Sequence, residues 1–379
     1  MLRIAEVSHY DEFTKCRDAW GDLLSRSRID NIFLTYEWID ACIRYFCKGQ
    51  RLLMLNVFNG NRLVGIAPLM IRRYKYFGLP VRAISFIGTI ISDRMDFILD
   101  GNNKEESLTL IMDYLMDMKS DWDFIDFQEM AEYTGNAKII EAWLKNKKIL
   151  NIDGPSTKSF FIEFNGNKNS FHQRFSKKFN TQLKKTKSKS IDSNIEFKRY
   201  INRDIKAEEI FSNLNLIEGS SWKAERQSGI FSKEDTMNFH REIFNTFSKK
   251  RWLDLSILSL DKKPIAYVYN YLYGKRSYGY SMAFNKEYSK LSPGTVLTCW
   301  VLRDSLARDI LEYDFSRGEG LYKQGLTQDF KVHNRIRVFR NGLYGRFLYC
   351  LQSRVMPYMK DKKNLHGAWM KIKEKIKWQ

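Results

Sequence analysis

One β-hairpin pattern occurs twice in this chain, 201 positions apart. Residues 52–70 are two apolar runs on either side of the polar turn Asn59-Gly-Asn-Arg62, and residues 253–271 repeat this arrangement around Leu260-Asp-Lys-Lys263. Two apolar runs joined by a short polar turn are typical of a hairpin. The small residues Gly65 and Ala266 fall at matching positions. A chain that repeats such a unit is expected to fold as two related halves.

The segments around the two hairpins also occur in the same order. Residues 36–46 and 236–247 carry apolar side chains at helical spacing just before each hairpin. After the first hairpin we predict strands at 83–86 and 95–99, a helix at 107–118 and a strand at 124–127. After the second we predict a strand at 277–283, a helix at 296–308 and a strand at 311–315. The matching order indicates a duplication.

Composition limits the classes of protein that this chain can form. It has 379 residues, of which 44% are hydrophobic, enough to fill two cores. The five cysteines form no CxxC pair, which favours isolated thiols in a reducing compartment. No secretory signal or long apolar run is visible, so the cytoplasm is the expected location.

Basic charge is concentrated in two segments. Residues 168–190 hold eight Lys or Arg and no acid, and residues 331–379 hold thirteen against Asp361 and Glu374. Their charges of +8 and +11 account for the net +19 of the chain. An anionic partner is therefore expected to meet these two segments.

Each basic segment also has a helical pattern. In the first, Phe171, Phe175, Phe179 and Leu183 lie four apart, which predicts an amphipathic helix with its lysines in water. The last 40 residues mix aromatic and apolar side chains with Lys and Arg. They are interpreted as a packed or membrane-surface basic helix pair, which adds a peripheral position at the inner face of a membrane as a second expectation.

The segment 289–324 carries the strongest functional signal. Leu291 and the turn Ser292-Pro293-Gly294-Thr295 open the predicted helix at 296–308. A helix start leaves backbone N–H groups outward and favours negative charge, so these five residues are candidates for binding the phosphates of a donor. The alternative is that Ser292 caps its helix with Pro293 at the first position.

Polar residues follow the predicted strand at 311–315. Asp314 is a candidate general base, or else a carboxylate paired with Arg317. Arg317 and Lys323 are candidates for holding an acceptor phosphate or carboxylate, while Gly318 lets the backbone approach a substrate. Tyr322 is a candidate acid for a leaving thiolate, or a ring wedged into the rim.

A third group lies upstream of the second hairpin. Glu218, Trp222 and Arg226 follow each other at helical spacing and form either a substrate wall or a local ion pair. His240 is interpreted as a structural histidine with its hydrogen bonds satisfied. The histidines are scattered without metal-ligand spacing, so no metal is expected.

Several motifs occur together in an order that resembles a known family. They are Glu218-Gly-Ser-Ser-Trp222-Lys, Ser228-Gly-Ile-Phe231, Phe239-His240, Pro264-Ile-Ala266, Ser292-Pro-Gly-Thr295 and Asp314-Phe-Ser-Arg-Gly318 with Tyr322-Lys323. The chain resembles the CelD-type acetyltransferases, a branch of the GNAT superfamily related to the Fem aminoacyl transferases. The first half, with Phe33, Tyr36-Glu-Trp38, Val64 to Leu69 and Asp93 to Phe97, is similar to the N-terminal half of these proteins.

The resemblance implies an α/β (α+β) fold of two tandem GNAT-like units, each a mixed, mostly antiparallel sheet flanked by helices. The expected boundaries are a degenerate, non-catalytic domain at 1–157, an acyltransferase domain at 158–335 and a basic helical tail at 336–379. The implied activity moves an acyl group, most simply acetyl, from acyl-CoA to an amine or hydroxyl of an amino-sugar, glycan or cell-envelope precursor.

Two alternatives remain open. The usual GNAT acyl-CoA turn reads Arg/Gln-x-x-Gly-x-Gly/Ala, whereas residues 288–295 keep only Gly294. An aminoacyl-tRNA donor, as in the Fem relatives, acting on a peptidoglycan or lipid-linked precursor is therefore the first alternative. The second is a non-enzymatic basic protein that binds nucleic acid or a membrane, although no DNA-binding motif is found.

Overall fold

The computed structural model describes residues 1–118, 120–164, 194–201, 207–226, 228–231 and 233–361. Contacts divide the chain into two compact units. Unit 1 contains residues 1–29, 33–157 and the chain from Val332 onward, and unit 2 contains residues 30–32 and 158–331. The amphipathic helix predicted within 168–190 lies outside the described residues.

The elements up to the middle of the chain are β1 (Leu2–Val7), α1 (Tyr10–Thr14), α2 (Arg17–Ser27), α3 (Tyr36–Phe46), β2 (Arg51–Asn59), β3 (Arg62–Tyr76), β4 (Leu79–Phe86), β5 (Ile98–Leu99), α4 (Lys104–Asp117), β6 (Phe124–Ala131), α5 (Asn136–Lys147) and β7 (Asn151–Glu163). The later elements are β8 (Ile195–Tyr200), α6 (Ala207–Gly219), α7 (Trp222–Glu225), α8 (Glu234–Lys250), β9 (Leu253–Leu260), β10 (Lys263–Tyr273), β11 (Arg276–Phe284), α9 (Pro293–Ala307), β12 (Glu312–Arg317), α10 (Leu321–Gln324), β13 (Phe330–Phe339), α11 (Leu343–Cys350) and α12 (Met356–Asp361).

The two units have the same strand pattern. In unit 1 the strands are ordered β1-β2-β3-β4-β6-β13, and in unit 2 they are ordered β8-β9-β10-β11-β12-β7. The neighbours are antiparallel except for β4 with β6 and β11 with β12, which are parallel. Each parallel pair is joined through a helix, α4 in unit 1 and α9 in unit 2. This match confirms the duplication and the mixed α/β fold that the sequence predicts.

The last strand of each sheet comes from a distant part of the sequence. Residues 159–163 of β7 pair with β12 in unit 2, and residues 333–339 of β13 pair with β6 in unit 1. The strand that follows the first repeat, β7, therefore completes the sheet of unit 2, and the strand that follows the second repeat, β13, completes the sheet of unit 1. The hairpin repeat contains no signal for this exchange, because it depends on pairing between segments far apart in sequence.

The sheet of unit 2 is covered on both faces. Helix α9 packs on β10 and β11 and buries Ala266, Val268 and Leu297 in one core. The opposite face of β10 presents Tyr267, Tyr269, Tyr271 and Tyr273 to the other side. There the rings of His240 and Phe247 in α8 contact Tyr269 and Tyr271. We call this second side the tyrosine face. It arises because alternate side chains of a strand point to opposite faces.

Most of the predicted elements are confirmed within a few residues. The helix predicted at 36–46 is α3, the helix at 236–247 lies within α8, and both hairpins form. The strand predicted at 95–99 is mostly wrong, since only Ile98 and Leu99 pair with β3. The tail predicted at 336–379 starts within β13, which ends at Phe339, and helices α11 and α12 follow it. None of the described helices is long and apolar enough to cross a bilayer.

Candidate active site

The central feature of unit 2 is a parallel strand pair that separates partway along its length. Strands β11 and β12 pair at three positions, Arg276–Glu312, Ser277–Tyr313 and Tyr278–Asp314. Beyond these positions β11 continues to Phe284 and β12 continues to Arg317, but these later residues of the two strands do not pair with each other. Backbone groups along the diverging edges need partners from elsewhere, which makes this opening a natural place for a ligand.

Two irregularities explain the separation. The register between β10 and β11 shifts so that Tyr269 faces Ser281 while Asn270 faces Gly279, which leaves Tyr280 as an extra residue in β11. Such a bulge bends its strand and increases its twist. On the other side, β12 shifts register against β7 between Asp314 and Arg317. Both strands therefore bend just after their last common pair.

Helix α9 begins at the same end of the sheet as this opening. It follows β11 through the short 3-10 turn Lys286–Leu291 and Ser292, which has a left-handed backbone (φ 50°). Because β11 and β12 are parallel, the start of α9 and the end of β12 lie at the carboxyl ends of the two strands. The first turn of α9 contains no acidic residue, so nothing in it offsets the positive end of the helix dipole.

Two residues of the predicted turn have structural roles at this helix start. Pro293 occupies the first helical position, as predicted, but the side chain of Ser292 does not cap the helix, so that interpretation was wrong. A Cβ on Gly294 would come within 3.1 Å of both Met282 Sδ and Phe284 Cδ1. The missing side chain therefore lets α9 start directly against the end of β11.

The end of β12 is a tightly bonded turn. Asp314 is 1% exposed, and its Oδ1 accepts a hydrogen bond of 2.7 Å from the backbone N–H of Ser316, a residue with φ of 56°. Lys323 Nζ donates to the carbonyl oxygens of Phe315 (2.7 Å), Ser316 (3.0 Å) and Arg317 (2.8 Å). An ammonium group has three donors, so Lys323 shapes this turn with all of them.

Other polar groups at the end of β12 are more open. Arg317 is half-buried, and the N–H of Gly318 donates to the carbonyl of Lys158 at 3.1 Å. Gly318 has φ of 107°, a conformation that favours glycine. The Tyr322 side chain is 46% exposed. The buried Ser316 hydroxyl has no hydrogen-bond partner within the described part of the chain, a position that the sequence analysis missed.

Glu218 is the centre of a buried polar network on the tyrosine face. Its carboxylate accepts hydrogen bonds from Tyr267 (2.5 Å), from Lys223 (3.2 Å) and from the backbone N–H groups of Ile230 and Phe231. Lys223 Nζ also donates to Ser281 Oγ at 2.6 Å. Burial lowers the pKa of Lys223, while the negative charge of Glu218 opposes that fall. The network thus connects α6 to the part of β11 that has left β12.

Glu218, Trp222 and Arg226 do not share one helix, so that expectation was wrong. Helix α6 ends at Gly219, and Ser221 starts the short helix α7, accepting a hydrogen bond from the N–H of Lys223. Trp222 and Arg226 form a separate, more exposed pair, with the guanidinium carbon 5.3 Å from the ring centroid. The local ion pair predicted for this region exists between Glu218 and Lys223.

His240 lies among the rings of the tyrosine face. It is fully buried, with Tyr280 at 5.3 Å and Tyr269 at 5.8 Å between ring centroids. Neither ring nitrogen has a hydrogen-bond partner within the described ranges, so the expectation of a satisfied histidine was wrong. Burial, and to a lesser degree the charge of Lys223, lowers the pKa of His240 to about 3. The imidazole is therefore neutral near pH 7.

This pKa predicts a pH-dependent stability. Below its ordinary pKa of 6.5, His240 binds a proton in the unfolded chain but not in the folded one, so the free energy of unfolding falls as the pH falls towards 3. Between pH 7 and pH 5 the titration of this residue is expected to lower the free energy of unfolding by about 2 kcal/mol. Urea unfolding of the wild type and of His240→Phe at several pH values measures how steeply the free energy of unfolding of each protein changes with pH. The control His9→Phe, which replaces an exposed histidine, should keep the pH dependence of the wild type. The same pH dependence in His240→Phe would contradict the lowered pKa of His240.

The corresponding region of unit 1 is occupied by its own chain. Strands β4 and β6 also pair at three positions before separating, but Met95 N then donates to the Glu129 carbonyl of β6 at 3.2 Å. Asp96 is buried beside Thr134 and Asn136, and burial raises its pKa to about 6. The first turn of α4 carries two glutamates, which oppose anion binding.

An open cavity of about 520 Å³ lies at the other end of β11 and β12, near their amino ends. It is lined by Asp30, Glu163, Lys275, Arg276 and Glu312, together with Phe164 and Leu311. Two of its charged groups, Arg276 and Glu312, form an ion pair with 2.6 Å between Nε and the carboxylate oxygen. We therefore place the candidate active site at the carboxyl ends of these strands. The described residues contain no group of three or more potential metal ligands.

The fold and this site together define a class. A mixed sheet whose central parallel strands separate beside a helix start, present in two copies, is a tandem GNAT-type acyltransferase fold. Residues 180–324 match the family described as "Acetyltransferase (GNAT) domain", a range that includes β11, α9 and β12. Residues 180–324 are thus similar to GNAT acetyltransferase domains, as the resemblance of the motifs implied. A search of curated proteins finds no significant match.

Solved structures show the same fold over nearly the whole chain. FemX has a TM-score of 0.60 at 11% identity, covering 92% of this chain and 99% of that chain. L-PGS from Bacillus licheniformis has 0.53 at 9%, covering 93% and 98%. A tandem GNAT protein from the clavulanic acid biosynthesis pathway has 0.51 at 11%, covering 89% and 98%. At such identities the likeness concerns the fold. The narrower CelD-type assignment stays a prediction.

Proposed function

We propose that this protein is an acyl-CoA-dependent acyltransferase that acts on an amine or hydroxyl of an amino-sugar, glycan or cell-envelope precursor in the cytoplasm. One observation carries the proposal. The acid-free start of α9 and the diverging edges of β11 and β12 lie at the same end of the sheet, inside a GNAT domain. The acetyl group and the class of acceptor come from the CelD-type resemblance.

In this proposal the backbone N–H groups of Gly294 and Thr295, which follow Pro293, face the donor phosphates. The first N–H groups of a helix have no partner within it and are therefore available to a ligand. Leu291 and Ser292 form the approach to this helix start. The thioester arm then lies along the free edge of β11 beyond Tyr278. Backbone N–H groups on that edge stabilise the negative charge that develops on the thioester oxygen.

The acceptor amine attacks the thioester carbon, which forms a C–N bond and breaks the C–S bond. Asp314, which is buried, takes the proton of the amine through a water, and the more exposed Tyr322 donates a proton to the leaving thiolate. Arg317, Gly318 and the Trp222–Arg226 pair line the acceptor side, and Glu218 positions the network behind β11. Lys323 is left out of these contacts, because its donors are bound to the backbone.

A second candidate is an aminoacyl-tRNA-dependent transferase that acts on a peptidoglycan or lipid-linked precursor. It is favoured by the fold likeness to FemX over 92% of this chain and by the +8 and +11 segments, which suit tRNA phosphates. Salt separates the two donors. Binding through about eight phosphate contacts falls steeply with ionic strength, whereas acetyl-CoA binding at a preformed helix start changes little.

The proposal is tested by incubating the purified full chain with acetyl-CoA and a panel of amino-sugars and measuring the mass shift of each acceptor. Asp314→Asn is expected to lower kcat at least about 100-fold, because it removes the base while its amide oxygen still accepts from Ser316 N. Asp314→Ala also loses that hydrogen bond and should be less stable. Unchanged turnover in Asp314→Asn at wild-type stability would reject its role as the base.

A further inference from the structure

The helical C-terminal segment is attached to unit 1 by one face. Leu348 is buried with Phe339 and Tyr76, and the ring of Tyr349 lies 5.5 Å from that of Phe339. The Tyr344 hydroxyl donates to the carbonyl of Pro80 at 2.7 Å. These contacts fix the orientation of α11, so its outward face is defined.

The outward face is unusually apolar for a surface helix. Leu343 is 91% exposed and Phe347, one turn later, is 51% exposed. Tyr344 lies at the edge of this face, with its hydroxyl bonded to Pro80 and its side chain still 37% exposed. The face continues through the exposed side chains of Val355 and Tyr358. Large apolar groups that follow one another along one helical face mark an interaction surface rather than scattered exposed residues. We call these five residues the apolar face.

Basic residues border the apolar face, and acidic ones do not. Arg346 and Arg354 are exposed between its members, and residues 340–360 contain no Asp or Glu. The sequence from 331 to 379 has thirteen Lys or Arg against two acids. Burial and, after it, the charge of Asp123 raise the pKa of Tyr344, and Asp123 is itself buried and paired with Arg82 at 3.0 Å. The charge around this face is therefore positive.

Exposed apolar side chains bordered by basic residues indicate what binds to the apolar face. A helix with exposed Leu, Phe and Tyr on one side and arginines at the border matches the interfacial layer of a membrane, where apolar side chains enter the acyl boundary and cations meet lipid phosphates. Within the described part of this segment, up to residue 361, no helix is long and apolar enough to span a bilayer. A protein partner would require a complementary acidic rim, whereas an anionic leaflet supplies negative charge along the whole segment.

We propose that the apolar face and its arginines dock the protein on an anionic lipid bilayer, with the phosphate headgroups as the recognised chemistry. This inference does not depend on the acyl group or on the donor. It does place the transferase at the surface where a lipid-linked acceptor would be presented. Leu343 and Phe347 enter the interface, and Arg346 and Arg354 bind phosphate.

The test uses the full chain and co-sedimentation with phosphatidylglycerol-containing or pure phosphatidylcholine vesicles. We expect binding to the anionic vesicles that weakens with salt, and at least about a tenfold loss of affinity in Leu343→Ser/Phe347→Ser. Arg346→Glu/Arg354→Glu should lose affinity for the anionic vesicles as well. Both variants should fold, because all four substituted side chains are exposed. Urea unfolding of each variant verifies this.

A matched control replaces two exposed apolar residues elsewhere in unit 1, as Ile90→Ser/Tyr133→Ser, and should bind like the wild type. Equal vesicle binding by Leu343→Ser/Phe347→Ser and the wild type would overturn the proposal. So would a wild type that binds no vesicles but forms a concentration-dependent dimer that this variant abolishes, since the face would then bind a second copy. Amino-sugar acetylation in solution should survive the substitutions, which separates this inference from the proposed activity.

Discussion

Replacing Glu218 by alanine is expected to lower the free energy of unfolding by about 4 kcal/mol. The carboxylate accepts from four donors, namely Tyr267, Lys223 and the backbone N–H groups of Ile230 and Phe231. Removing it leaves the buried ammonium of Lys223 without its counter-charge, and this uncompensated charge is the main cost. Urea unfolding of the wild type and the variant measures the loss.

Two variants sharpen this prediction. Lys223→Met should destabilise less than Glu218→Ala, because Glu218 keeps its other three donors. Glu225→Ala removes a carboxylate of the same unit that pairs with Lys286 at the surface, and the free energy of unfolding should change by less than about 0.5 kcal/mol. An equally small change for Glu218→Ala would show that the network contributes little to the fold.

Gly294→Val is expected to weaken acetyl-CoA binding at least about 100-fold. Its Cβ would already lie 3.1 Å from Met282 Sδ and from Phe284 Cδ1, so the branched side chain has to push the start of α9 away from β11. A shift of the helix start moves the N–H groups that are proposed to face the donor phosphates. Isothermal titration with acetyl-CoA measures the effect, and Gly294→Ala should show a smaller one.

Gly219→Val is the matched control, because a Cβ at Gly219 meets no atom within 4 Å. It should bind acetyl-CoA like the wild type. Urea unfolding of both variants separates a local shift of α9 from a general loss of structure. Wild-type affinity in a folded Gly294→Val protein would place the donor elsewhere and remove the basis of the proposed site.

The sequence determined the repeated units because their signals are local. The polar turns at 59–62 and 260–263 lie between apolar runs, and turn chemistry and side-chain period act over a few residues. The hairpins, α3 and α9 therefore follow from short windows. The family match of residues 180–324 rests on ordered motifs that are also visible in the sequence.

Part of the candidate site had a sequence signal that was not used. Alternate tyrosines at 267, 269, 271 and 273 predict one aromatic face of a strand, since strand side chains have a period of two. This pattern shows that a face rich in hydroxyl groups exists. It does not show that Glu218 and Lys223 reach Tyr267 and Ser281, because those contacts join segments up to 58 residues apart.

Only the tertiary structure decided the remaining features. The exchange of β7 and β13 between the units, the separation of β11 from β12 after Tyr278, and the use of Lys323 on three carbonyl groups all depend on register and packing between distant segments. The exposure of Leu343 and Phe347 depends in the same way on which face of α11 meets Phe339. Local propensity selects helices and strands, whereas long-range packing decides which polar groups are buried and which apolar groups meet solvent.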